Sequence, residues 1–215
     1  MFLIAMALMA AGAEPPTTPA AEDLARIKEV AASPATLDRL AGTSFPTSGP
    51  DTDKQSVDAA TVIPVYSPDA TFITGTSPTV GHLSYVAVPA NTADGAPATI
   101  WLHKTAGDWK VYNVASGSVE KTMAAKAGKG YLLHEPQTNT WYAVNGDNLT
   151  NLTDGTTMST TTYQSHLNTR YADKQPGSRY DKEGAAGGYP DDTGGVPWWP
   201  VVVTPLGEAG DAATR

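Results

Sequence analysis

Between Val57 and Thr153 the chain is a succession of short runs in which apolar and polar residues alternate. "TVIPVY", "ATFIT", "LSYVAVPA", "ATIWLHK", "WKVYNVAS", "YLLHE", "TWYAV" and "NLTNLT" are rich in β-branched and aromatic residues, and Gly, Pro, Asn or Asp separate them. A period of two sends successive side chains to opposite faces of a strand, and runs this short with turn residues between them predict hairpins. "SVEKTMAAKAG", 118–128, interrupts the series as a short helix, with Ser118 placed to cap it and Gly128 to stop it. The expected fold is α+β: an antiparallel β-sheet built from two meanders, with an N-terminal helix and flexible termini.

Local signals refine that outline. Leu24, Ile27, Val30 and Ala31 recur at helical spacing within 21–42, where Pro34 breaks the helix, Ser33 can cap a second turn and Gly42 ends it. Pro64 lacks a ladder donor, which predicts that the first run is an edge strand or is bulged. Asp94-Gly95 and Asn145-Gly146 mark turns, the latter a hairpin of type I′. Tyr163, Leu167 and Tyr171 lie four apart and suggest a helix over 158–175.

The division expected along the chain is a signal-like hydrophobic segment (1–13), a linker (14–20), a helical segment and loop (21–56), a β-rich domain (57–172) and a mostly disordered tail (173–215). The twelve residues Phe2 to Ala13 are uncharged and end in Ala11-Gly12-Ala13. They are too few to cross a bilayer, which takes about 20, and fit a signal-peptide core with its cleavage site, although the usual basic residues do not precede them. The expected location is therefore secreted or in the cell envelope. The tail contains one apolar island, "VPWWPVVV" at 196–203, costly to leave in water; Trp198, Trp199, Val201, Val202 and Val203 are candidates for contact with a partner.

Composition narrows the function. Net charge is −8 and the basic residues are scattered, which excludes nucleic-acid binding through a phosphate-tracking patch. With no cysteine there are no disulfides, thiolate metal sites or cysteine nucleophiles. His82, His103, His134 and His166 are too far apart in sequence to specify a metal site, so no metal or cofactor is expected. Ser118 to Lys121 resembles the S-x-x-K motif of penicillin-binding proteins and β-lactamases, but S-D-N and K-T-G do not follow it.

"WLHKTAGDW" and "LLHEPQTNTW" repeat the order Leu-His, loop, Trp. If Ala106-Gly107 is a turn centre, Lys104 faces Trp109 and His103 faces Lys110. Alternation then puts Ile100, Leu102, Trp109 and Val111 on one face, and Trp101, His103 and Tyr112 on the other. Hairpin construction thus explains the echo without chemistry. The rings beside the histidines, Trp101, Tyr112, Trp141 and Tyr142, are the candidate ligand-binding residues, for a protein or carbohydrate partner. The function expected is an exported, non-catalytic binding or accessory module. Two other readings are a secreted hydrolase centred on a histidine and a structural component docked through 196–203.

Overall fold

A computed structural model of the chain describes residues 16–43, 55–175 and Lys182. The segments 1–13 and 196–203 discussed above lie outside the described residues.

The N-terminal helical region divides at Pro34 into α1 (Ala21–Ala31) and α2 (Pro34–Ala41). The Ser33 hydroxyl accepts the Thr36 N–H at 3.3 Å, and Pro34 takes the first helical position, where no backbone donor is needed. Then come β1 (Ser56–Val57), β2 (Ile63–Pro68), α3 (Ala70–Ile73), β3 (Gly81–Asn91), β4 (Pro97–Thr105) and β5 (Asp108–Ser116). A second series follows: α4 (Val119–Ala127), β6 (Tyr131–Glu135), β7 (Thr140–Asn145), β8 (Asn148–Asn151), β9 (Thr157–Ser159) and α5 (Thr160–Tyr171).

Among the described residues the strands form one nine-stranded sheet in the order β5-β4-β3-β2-β6-β7-β8-β9, with β1 also on β3. Each meander is antiparallel, and a single parallel contact, β2 with β6, joins them. An α+β fold with a mostly antiparallel open sheet is thus observed.

Two local expectations change, and one alternative is settled. "ATFIT" is not a strand but the helical turn α3, because the Asp69 carboxylate accepts the Thr71 N–H at 2.8 Å and caps it. Of the two alternatives that Pro64 left for β2, the bulged strand is observed: β2 is interior, not an edge. Its parallel pairing starts at Val65, one residue past Pro64, so the missing donor is not called upon, and a bulge falls between Val65 and Tyr66. At the β7–β8 hairpin Asn145 pairs with Asn148, so Gly146 and Asp147 are the central residues and only Gly146 has positive φ, at 55°. The turn with both central φ values positive is Ala106-Gly107, at 51° and 87°.

Packing divides the sheet into two faces. The front carries α1 and α2 over Val86, Val88, Ile100, Leu102 and Trp109, and α3 and α5 over Tyr66, Leu133, Tyr142 and Leu149. Leu83 touches both clusters. The back carries α4, whose Met123, Ala124 and Ala127 lie on Ile63, Val65, Ala87, Leu132 and Trp141. Edge strand β5 is blunted toward a further strand by its own side chains and by Arg39 of α2. Asp108 and Asn113 accept the N–H groups of Trp109 and Val114, Arg39 covers the carbonyls of Val111 and Tyr112, and Tyr112 is an unpaired bulge residue. Such devices suppress edge-to-edge pairing.

Candidate functional site

The hairpin of β4 and β5 holds the aromatic surface. Its register is Lys104 opposite Trp109, His103 opposite Lys110 and Leu102 opposite Val111, as the Ala106-Gly107 turn requires. Beyond Leu102 the bulge at Tyr112 shifts the pairing, so Trp101 lies opposite Asn113. Tyr112 and Asn113 are therefore both turned toward the back, and Tyr112 stacks on His103 with ring centres 4.8 Å apart and planes at 29°.

Trp101 sits one residue inward on the same face. Its indole packs against Tyr85 with centroids 4.7 Å apart, at the margin of the α4 cluster. The Tyr85 hydroxyl donates to Glu120 Oε1 at 3.2 Å. Burial, with the Glu120 carboxylate beside it, holds the Tyr85 phenol well above its ordinary pKa. Trp101 Nε1 is buried without a hydrogen-bond acceptor among the described residues. An orphaned donor of this kind costs about 1–3 kcal/mol. Helices α1 and α2 pack on the front, so Trp101, His103 and Tyr112 are left half-buried and uncovered by them.

The second echo is built differently. His134 faces Trp141 across β6 and β7 and stacks on it at 4.0 Å and 15°, with Asn139 Oδ1 3.2 Å from Nε2. Trp141 is 6% exposed beneath that ring and the α4 cluster, so it lacks a free face for stacking. Tyr142, also 6% exposed, points to the front and packs against Tyr163. Of the four candidate rings, only Trp101 and Tyr112 share a surface.

The histidines do not converge. His103 on β4 and His134 on β6 are separated by β3 and β2, about 14 Å at the usual strand spacing. Burial lowers both pKa values, helped by Lys110 at His103 and opposed by the Asn139 contact at His134. Among the described residues neither one hydrogen-bonds a carboxylate or Ser118. Ser118 stands at the N-cap of α4 but makes no side-chain cap bond. No three His, Asp or Glu residues among those described gather into a possible metal site. No helix among them is long and apolar enough to cross a membrane.

One buried polar cluster escaped the sequence reading. Glu135 follows His134, but the pleat sends it to the front, where it is fully buried. Arg170 Nη1 pairs with it at 3.0 Å, and the hydroxyls of Tyr171 and Tyr163 donate to it at 2.9 and 3.3 Å. All three partners come from α5, so the carboxylate fastens that helix to the second meander. Helical spacing of the tyrosines was visible; a buried acid to receive them was not.

The chain matches no known protein-family model, no curated protein and no solved structure.

Proposed function

We propose that the protein is an exported, non-catalytic binding or accessory module that engages its partner through the back of the β4–β5 hairpin. The observation that carries this reading is the pair Trp101 and Tyr112, half-buried rings on a face that α1 and α2 leave open. A partner that lays an apolar face on the Trp101 and Tyr112 rings, with polar groups around it, covers what the fold leaves open. Carbohydrates and polypeptides both combine such groups. Export is supported by the apolar run ending in Ala11-Gly12-Ala13.

Two measurements test the proposal. Envelope material captured on immobilised protein is compared between the wild type and a Trp101→Ala, Tyr112→Ala variant that retains its circular-dichroism spectrum. Loss of the captured component supports the reading, and unchanged capture refutes the site. For export, mass spectrometry of protein from its natural source is expected to find an N-terminus at Glu14; an intact Met1 in the cytoplasmic fraction would count against it.

A further inference from the structure

The segment that leads into α1, Pro16-Thr17-Thr18-Pro19, has a burial pattern of its own. Pro16 is buried and Pro19 half-buried, whereas Thr17, Thr18 and Ala20 are exposed. Inward positions three apart match polyproline II, a helix of three residues per turn with no internal hydrogen bonds. Proline presets that conformation: it fixes its own φ at about −65° and keeps the residue before it, here Thr18, out of the α region. Ala20, the last residue before α1, is extended as well, at φ −67° and ψ 167°. The Thr17 carbonyl, which such a helix leaves free, accepts the Tyr66 hydroxyl at 3.4 Å. Tyr66 is 1% exposed and belongs to the cluster under α3 and α5, and the Tyr131 ring packs edge-on against it with centroids 5.2 Å apart. Helix α1 itself lies on the other front cluster. Residues 16–20 thus cross the front of the sheet from one helix cover to the other.

We infer that the front cleft at Tyr66 is a binding site for a Pro-x-x-Pro segment in the polyproline II form, and that residues 16–19 are its resident, exchangeable ligand. The segment already seated there identifies the occupant. Prolines at its first and fourth positions face inward, and a buried aromatic hydroxyl takes a carbonyl between them. Aromatic side chains recognise Pro-rich peptides in this way because the preformed helix loses little entropy on binding. Exchange is favoured by the weakness of the hold. The Tyr66 bond is the one polar contact of residues 16–19 among the described residues, and it is longer than the usual O–H···O range of about 2.5–3.0 Å. A tethered ligand competes at its own effective concentration, which is millimolar for short flexible connections. A free peptide of the same spacing therefore displaces it at comparable concentration. The cleft is on the front of the sheet and is independent of the Trp101 surface on the back.

The chain has no cysteine, so Thr18→Cys gives one labelling site at an exposed position of the segment. A fluorophore on that residue of the full chain is titrated with an end-blocked peptide of residues 14–20, EPPTTPA, and with the same peptide carrying Pro16→Ala and Pro19→Ala. The native peptide is expected to release the segment and lower the label's anisotropy at millimolar concentration, and the alanine peptide to leave it unchanged. In a second arm the native peptide carries the label. A full-length Pro16→Asp, Pro19→Asp variant that keeps the wild-type circular-dichroism spectrum is expected to bind it at least about fivefold more tightly than the wild type, because the resident ligand no longer competes. Adding Tyr66→Phe to that variant is expected to weaken binding about threefold, since the ring stays and the donor is lost. An anisotropy that does not change, an equal response to the alanine peptide, or no tighter binding by the aspartate variant overturns the inference. Anisotropy that depends on protein concentration without peptide would make the occupant the same segment of a second copy, and would overturn the assignment within one chain.

Discussion

Glu135 and Arg170 form an ion pair 3.0 Å long, between a carboxylate with no solvent exposure and a guanidinium that is 37% exposed. The pair fixes α5 to β6, and with it the point from which the chain leaves the sheet. Arg170→Ala leaves the buried charge with only its two phenol donors and is expected to cost about 3 kcal/mol. Tyr171→Phe is expected to cost about 1.5–3 kcal/mol, since it removes a hydrogen bond to an ionised group. Both act on one carboxylate, so urea titration of the double variant should depart from additivity by more than about 0.5 kcal/mol. Additive losses would show that the two contacts hold α5 independently.

Alkaline stability follows from the same tyrosines. Burial and the Glu135 carboxylate raise Tyr171 to about 12, and they hold Tyr163 well above its ordinary pKa too. In the unfolded chain these phenols lose their protons near pH 10, so between about 10 and 12 the native state binds more protons. Stability is therefore expected to fall as pH rises through that window. Tyrosinate absorbance and circular dichroism, followed together, should change in one transition for these residues. Full titration of every tyrosine near pH 10 in a still-folded protein would contradict the buried network.

The stack of His134 on Trp141 gives an optical handle. Burial holds the imidazole below its ordinary pKa of about 6.5. Protonation of a ring 4.0 Å from the indole is expected to quench its emission, with a midpoint below 6.5. The unfolded state binds the proton more readily, so this group favours the native state above its unfolded pKa and loses that contribution as pH falls. His134→Gln should abolish the fluorescence transition; its persistence would place the titrating group elsewhere.

Ala106 has φ 51°, a left-handed conformation unfavourable to a residue with a Cβ and no side-chain hydrogen-bonding group. Asn tolerates that region and is the preferred partner of a following Gly in a type I′ turn. Ala106→Asn is expected to stabilise the protein by about 0.5–1 kcal/mol, raising Tm by about 1–4 °C in scanning calorimetry. A lower Tm would show that the turn is not what limits this hairpin.

Gly130 is constrained by space. A Cβ there would lie 2.8 Å from the Val144 carbonyl oxygen, a backbone atom of β7 that has no rotamer to yield. Gly130→Ala is expected to cost about 1–3 kcal/mol by denaturant titration. A neutral result would show that the start of β6 can move away from β7.

What the sequence determined was local. The β4–β5 register follows from the turn centred on Ala106-Gly107, and the Ser33 cap from the Ser-Pro at the head of α2, because hydrogen bonds over a few residues settle both. Alternation correctly separated Trp101 and Tyr112 from Leu102 and Val111. It also made neighbours such as His134 and Glu135 unable to share a site, since the pleat sends them to opposite faces.

Only the tertiary structure decided which faces are covered. Trp141 and Tyr142 read like Trp101 and Tyr112 in the sequence, but α4 and α5 bury the first pair, while α1 and α2 pack on the face away from the second. Likewise the Asp69 cap turned "ATFIT" into α3, and one parallel contact joined the two meanders. Glu135 meets Tyr163, Arg170 and Tyr171 from a segment far along the chain. Such contacts depend on long-range packing, which no short stretch of residues encodes.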